Sequence, residues 1–313
     1  MSLTDAKRTT TTWTRALAVS ALAVVLAASG CSADPAPPSP VNTDQTAAPT
    51  PPAAADIGPQ IRAIEAEFAV TVGVAAIRDD GRIVDHDADV RLPYASTMKV
   101  FIAAALLATA SPEERGTNVR WTASQIDAAG YSPVTSEHLD DGLSLDALAE
   151  AAVRDSDNTA ANLVMESLGG PAAVQDFLRA RGDATTVVTA YEPELNVVVP
   201  GSDDNTSTPS ALATSLKSLV DGDSLDTGSR ETLLDWMSGN ATGDALIRAA
   251  APAGWAVADK SGGAGGVRND VAVVTTGSGE RIYIAILTAK TDPDAAYDDE
   301  VVEEVARVVL AEF

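Results

Sequence analysis

Tyr94-Ala95-Ser96-Thr97-Met98-Lys99-Val100-Phe101-Ile102-Ala103-Ala104-Ala105-Leu106-Leu107 puts a Ser-x-x-Lys step at the start of a helix that is apolar nearly all round. A helix with no polar face belongs inside a folded body, so the rest of the chain must wrap it. A Ser three residues before a Lys sets both side chains on one face of the first turn. The helix N-terminus favours negative charge developing on the hydroxyl oxygen, and a Lys buried in such surroundings sheds its proton more easily than a free one. Together these effects activate an otherwise poor nucleophile. An N-cap serine followed by a surface lysine would have the same four letters, so the chemistry needs partners elsewhere.

Three other segments supply candidates. Ser156-Asp157-Asn158 falls in a short break between two helical stretches. All three residue types suit a helix N-cap, but the same residues also offer a proton-relaying hydroxyl at Ser156 and an amide-binding side chain at Asn158. Lys260-Ser261-Gly262 closes an apolar strand reading from Trp255 to Asp259 and is followed by Gly263, Gly265 and Gly266. A strand edge bordered by glycines lets a substrate backbone pair closely with Ser261 and Gly262, while Lys260 brings positive charge. The backbone N–H groups of Ser96 and Gly263 would face one oxyanion, each such donor contributing roughly 3 kcal/mol in the transition state. Glu192-Pro193-Glu194-Leu195-Asn196 completes the set with a carboxylate and an amide four residues apart.

Outward from these segments, the pattern predicts strands at both ends and helices between. Ile61 to Phe68 reads as a helix, and Val70 to Ile77 and Arg82 to Asp87 read as strands joined at Asp79-Asp80-Gly81. Trp255 to Ala258, Val271 to Thr275 and Ile282 to Thr288 read as three more strands, and a last helix runs from about Asp298 to Ala311. Helical patterns cover Thr97 to Thr109, Ser144 to Arg154, Thr159 to Leu168, Pro171 to Arg179, Pro209 to Leu219 and Ser229 to Met237. Two lone hairpins are only marginally stable apart, so the terminal strands should share one antiparallel sheet. The expected fold class is α/β of the α+β kind: a five-stranded antiparallel sheet flanked by helices, an all-helical subdomain, and a cleft between them.

The chain has 313 residues, 45% apolar, with a formal charge of -24. Such a balance excludes nucleic acid as a partner, because phosphate binding needs clustered Lys and Arg. Residues 1–30 read as an export signal, with Lys7, Arg8 and Arg15 ahead of an apolar stretch from Ala16 to Ala28. Ala28-Ser29-Gly30-Cys31 resembles the lipobox of bacterial lipoproteins, which makes Cys31 a lipid-anchor candidate. It is also the only cysteine in the chain, so no intrachain disulfide forms. Residues 31–55, rich in Pro, Ala and Thr, are expected to be an extended tether, and 56–313 to be the catalytic domain. The expected destination is the outer side of the cytoplasmic membrane, with release also open, and the expected state is a monomer.

The order Ser-x-x-Lys, Ser-Asp-Asn, Glu-x-x-Leu-Asn and Lys-Ser-Gly resembles that of class A serine β-lactamases within the wider penicillin-recognising family. Tyr131-Ser132-Pro133-Val134-Thr135, Asp235-Trp236-Met237 and Pro252-Ala253-Gly254-Trp255 are similar to stretches of that family as well. The resemblance implies hydrolysis of β-lactam antibiotics, conferring resistance, with no cofactor. Ser96 would be the nucleophile, with its proton removed by Lys99 and Glu192. Ser156 would relay a proton to the lactam nitrogen, Lys260 would support it, and Glu192 with Asn196 would activate the water that releases the acyl group. Tyr131, Asn158, Ser261, Gly262 and Arg268 would bind substrate, Arg268 through the substrate carboxylate. Transpeptidases and carboxypeptidases of the wider family lack the Glu-x-x-Leu-Asn loop, so the alternative is a lipoprotein that binds penicillin or cell-wall peptides without turning over.

Two further expectations follow from the resemblance. The loop around Glu192 is commonly closed by an Arg–Asp pair, whose places here hold Ala190 and Asn205. An intact but more mobile loop is expected, one that admits bulky oxyimino-cephalosporins. His86 and His138, 52 residues apart with no cysteine in the body, do not suggest a zinc centre of the metallo-β-lactamase kind, and both are expected to be surface or capping residues.

Overall fold

The computed structural model describes residues 56–197, 201–292 and 294–313. The signal segment, Cys31 and the tether lie outside the described residues.

Five strands form one antiparallel sheet: β1 Val70–Arg78, β2 Ile83–His86, β3 Ala256–Ala264, β4 Val267–Thr275 and β5 Arg281–Lys290, in the order β2-β1-β5-β4-β3. The N-terminal hairpin and the three C-terminal strands therefore meet in one sheet, through Val74 opposite Ile286. Successive side chains point to opposite faces, and in β1 and β5 both faces are buried. Val70, Val72, Val74 and Ala76 of β1 and Ile282, Ile284 and Ile286 of β5 pack with Val301, Val302 and Val305 on one face. Ala75, Val271, Val273, Tyr283, Ala285 and Leu287 turn to the other. Burying each isoleucine of β5 contributes roughly 1.5–3 kcal/mol before chain entropy is counted.

Among the described residues the eight longer helices are α1 Gly58–Phe68, α2 Met98–Thr109, α3 Leu145–Arg154, α4 Asn158–Leu168, α5 Pro171–Arg179, α6 Pro209–Asp221, α7 Thr227–Ser238 and α8 Asp299–Leu310. Helices α1 and α8 cover the first face of the sheet. On the second face α2 is the hub of the helical subdomain: every residue from Met98 to Leu107 is buried. Shorter helices at Pro112–Arg115, Ala123–Ala129 and Ile247–Ala250 were not legible in the pattern.

Two sequence-based boundaries need correction. Lys260-Ser261-Gly262 does not end a strand but lies in the middle of β3, which continues to Ala264. Likewise β4 begins at Val267 rather than Val271, because the polar run Arg268-Asn269-Asp270 is itself paired in the ladder. Asn269 and Asp270 are fully buried there, and Asn269 donates to the Pro93 carbonyl at 2.8 Å while accepting from Thr288 N at 2.8 Å. Polar residues satisfied inside a sheet are invisible to a hydropathy pattern. Gly265-Gly266 is the two-residue turn that joins the strands, with Gly265 at φ 53.

His86 also departs from expectation. It is not a surface residue, since its side chain is only 9% exposed beside Glu65 of α1.

Candidate active site

Edge strand β3 packs against the 3-10 turn Ala95–Thr97 that leads into α2. Only a glycine fits where they touch: a Cβ on Gly262 would stand 2.9 Å from the Tyr94 carbonyl oxygen and 3.1 Å from Thr97 N. Ala95 enters the turn at φ 48, a left-handed conformation that costs a non-glycine residue on the order of 1–3 kcal/mol. The turn presents Ser96 to the cleft and starts α2 one residue before Lys99.

Lys99 is fully buried, and its Nζ donates to Ser96 Oγ at 3.0 Å, Ser156 O at 2.7 Å and Asn158 Oδ1 at 2.5 Å. It also stands 3.0 Å from Glu192 Oε1, an ion pair with no exposed side-chain surface. Ser96 Oγ donates to that same Oε1 at 3.2 Å. The hydroxyl thus lies between an amine and a carboxylate, both at proton-transfer distance. Burial lowers the Lys99 pKa, while the Glu192 charge works in the opposite direction.

Ser156 holds φ 57 between α3 and α4, so the chain turns sharply and aims the Ser156 carbonyl and hydroxyl at Lys99. Capping and site roles coexist here. Asp157 caps α4 through Ala160 N at 2.8 Å, and its other oxygen accepts from Val134 N and Thr135 N, which ties down the loop that begins at Tyr131. Asn158, on the next residue, donates to Ala129 O at 2.8 Å and accepts from Lys99.

Glu192 is 2% exposed. Asn162, one turn along α4 from Asn158, grips it by accepting from Glu192 N and donating to Glu192 O, both at 2.8 Å. Asn196 Nδ2 donates to Glu192 Oε2 at 2.5 Å, while Asn196 Oδ1 is buried with no protein partner. The Glu192–Pro193 peptide is cis.

The place of the expected Arg–Asp clamp is taken by a neutral one. Asn205, buried and at φ 53, accepts through Oδ1 from Thr189 N at 3.0 Å, Ala190 N at 3.2 Å and the Tyr94 hydroxyl at 3.2 Å. Asn205 thus ties the segment before Glu192 through neutral hydrogen bonds in place of an ion pair.

Lys260 is fully buried and donates to the Ser261 carbonyl at 2.8 Å. Burial, aided by the charge on Lys99, pushes its pKa down to about 7. Ser261 Oγ shares a hydrogen bond with Thr242 Oγ1 at 2.5 Å. Arg268 stacks on the Tyr297 ring at 4.9 Å and donates through Nε to Asp299 Oδ1 at 2.5 Å.

These groups open into a cavity of about 470 Å³ lined by Ser96, Tyr131, Ser156, Asn158, Asn196, Thr242, Ser261, Gly263, Arg268 and Tyr297. A larger cavity of about 620 Å³ shares only Asn196 with it and contains none of Ser96, Lys99 or Lys260. The smaller one is therefore the candidate site. Every residue expected from the sequence to be catalytic or substrate-binding lies in its wall or directly behind it. Asn162, Thr242 and Tyr297 were missed. Asn162 had a signal, being four residues after Asn158 on the same helix face. Thr242 and Tyr297 had none, because only the folded chain brings them to the site.

Serine chemistry driven by a buried lysine and carboxylate, on an α+β scaffold of this topology, marks an active-serine hydrolase working on acyl groups. The known proteins narrow that class. The profile of the β-lactamase enzyme family, Beta-lactamase2, matches residues 56–313. A β-lactamase of Bacillus amyloliquefaciens is 45% identical over 250 residues, 79% of this chain and 81% of the relative. The β-lactamase FAR-1 of Nocardia farcinica is 41% identical over 256 residues, 80% of this chain and 81% of its own. Among solved structures, a class A β-lactamase from Clostridium kluyveri superposes with a TM-score of 0.79 at 37% identity, covering 82% of this chain and 97% of that one. The chain belongs to the β-lactamase enzyme family, in its class A serine branch.

Proposed function

We propose that this protein hydrolyses the amide bond of β-lactam antibiotics through an acyl-enzyme on Ser96, and so confers resistance to them. Ser96 Oγ attacks the lactam carbonyl carbon as its proton passes to Lys99 or Glu192, each within 3.2 Å of the hydroxyl or its partner atoms. The backbone N–H groups of Ser96 and Gly263 stabilise the oxyanion. The C–N bond then breaks, and the nitrogen takes a proton relayed through Ser156, leaving an ester on Ser96. Water next attacks the ester carbonyl, giving its proton to Glu192. The penicilloate carboxylate leaves and Ser96 regains its hydrogen. Tyr131, Asn158, Ser261 and Gly262 hold the ligand, and Arg268 with Lys260 attracts its carboxylate.

The observation that carries this reading is the Glu192 carboxylate, bonded by Asn196 on a backbone that Asn162 grips, and within hydrogen-bond reach of Ser96. The unpartnered Asn196 Oδ1 suits a water proton, so a water there would be gripped by two adjacent acceptors. A protein that only binds penicillin has no use for such a base. The pH profile of penicillin hydrolysis tests the assignment of Lys260. Its ammonium is needed to attract the carboxylate and is lost above about pH 7 in the free enzyme. The expected kcat/KM falls along an alkaline limb near pH 7, and the kcat limb lies higher because bound carboxylate favours the charged form. A kcat/KM that stays flat to pH 9 would remove Lys260 from that role.

The proposal extends to location. Export by residues 1–30 and acylation of Cys31 would place a monomeric catalytic domain on the outer side of the cytoplasmic membrane. Metabolic labelling with palmitate should mark the protein and not its Cys31→Ser variant; equal labelling of both would reject the anchor.

A further inference from the structure

At the sheet edge opposite β3, three side chains converge that the hydrolytic site does not use. Glu65 comes from α1, His86 ends β2, and Asp87 follows it at φ 42. Their ligand atoms all lie within 4.8 Å of one another. The His86 side chain is nine-tenths buried, and its Nε2 has no hydrogen-bond partner. That atom stands 3.7 Å from Glu65 Oε2 and 3.7 Å from Asp87 Oδ2.

We propose that Glu65, His86 and Asp87 form a binding site for one divalent transition-metal ion of the zinc class. The spacing carries the argument. A hydrogen bond or tight ion pair would draw the nitrogen to within about 3.2 Å of an oxygen. Two ligands each about 2.1 Å from a shared tetrahedral zinc stand about 3.4 Å apart, so 3.7 Å needs only a slight closing movement to ligate. The ligands are also oriented. Glu65 Oε1 is occupied by Val72 N at 2.9 Å, which turns Oε2 towards His86, and the Asp87 carbonyl is fixed by Val90 N at 2.9 Å. Outer contacts of this kind hold metal ligands in place.

Charge and donor type define the ion. Two carboxylates and a neutral imidazole balance a divalent cation, which gives the buried Nε2 the partner it lacks. An imidazole ligand favours zinc, copper or nickel over magnesium and calcium, which take oxygen sets. Three protein ligands leave the remaining position to water. The ion would tie α1 to the edge strand and its following turn, so its effect is on stability, with the hydrolytic cleft at the other edge of the sheet. At a free metal concentration 100 times the Kd, the ratio of folded to unfolded protein rises about 100-fold, and a Tm several degrees higher reports it.

The test uses the full chain stripped with chelator and titrated with zinc chloride. The expected result is one saturable equivalent of zinc, a raised Tm, unchanged penicillin turnover, and loss of both binding and stabilisation in His86→Gln and Glu65→Gln. Magnesium chloride should not reproduce the shift. Because the chain has only two histidines, imidazole nitrogen NMR on the unaltered protein gives a second readout that depends on no variant folding: one histidine should shift with stoichiometric zinc and the other stay. Zinc that binds the two variants as well as the parent, or that moves neither histidine, would overturn the site.

Discussion

Replacing Ser96 by alanine is expected to lower kcat/KM for a penicillin on the order of 10⁶-fold, the scale seen when a serine nucleophile is removed from a hydrolase whose catalytic groups act as a unit. No other described hydroxyl is placed between Lys99 and Glu192. The cost should fall on chemistry alone. Lys99 and Glu192 still meet at 3.0 Å, and Lys99 keeps the Ser156 carbonyl and Asn158, so no buried charge is stranded. Tm should move by no more than a few degrees, as for substitutions that leave packing and pairing intact. Steady-state hydrolysis together with a melting curve checks both halves. A Ser96→Ala protein retaining a hundredth of the parent activity would assign the nucleophile elsewhere.

Replacing Glu192 by alanine has a different signature. Deacylation should slow by 10²- to 10⁴-fold, the usual contribution of a positioned general base, while acylation persists more nearly intact. The reason lies in the charges around Lys99. Burial lowers the Lys99 pKa and Glu192 raises it, so removing the carboxylate leaves burial opposed only by the weaker pull of Asp157 and favours the neutral amine. A neutral Lys99 at 3.0 Å from Ser96 is itself a base. Breaking a buried ion pair by deleting one partner ordinarily costs about 3–5 kcal/mol. The penalty here should be smaller, because Lys99 can lose its proton instead of remaining charged. Glu192→Gln, which keeps the shape and the Asn196 contact, separates lost packing from lost basicity: it should trap the acyl group as alanine does, with a smaller fall in Tm.

Much of this was legible in the sequence because it is local. A Ser-x-x-Lys step on a helix must bring the two side chains together, and Lys99 Nζ does reach Ser96 Oγ at 3.0 Å. The marginal stability of isolated hairpins joined both chain ends in one sheet. The illegible features depend on distant partners. Arg268-Asn269-Asp270 looks like a loop until Pro93 and Thr288 supply the hydrogen bonds that let Asn269 stay buried in β4. Asn205 reads as a lost carboxylate until Thr189, Ala190 and Tyr94 are seen to share its one oxygen. His86 reads as a surface histidine until α1 brings Glu65 beside it. In each case a polar side chain became part of the interior through a partner far along the chain, and hydropathy records only the polarity.

The mechanism requires that Ser96 be acylated and that Glu192 free it. Intact-protein mass spectrometry, sampled from seconds to hours after mixing with a penicillin, reads both steps at once. The parent protein should show a transient adduct or none while consuming many equivalents of drug, and Glu192→Ala should accumulate one adduct per chain, mapped to Ser96, that persists for hours. An adduct that persists equally in the parent, or an absence of adduct in both proteins while drug is still consumed, would contradict the account.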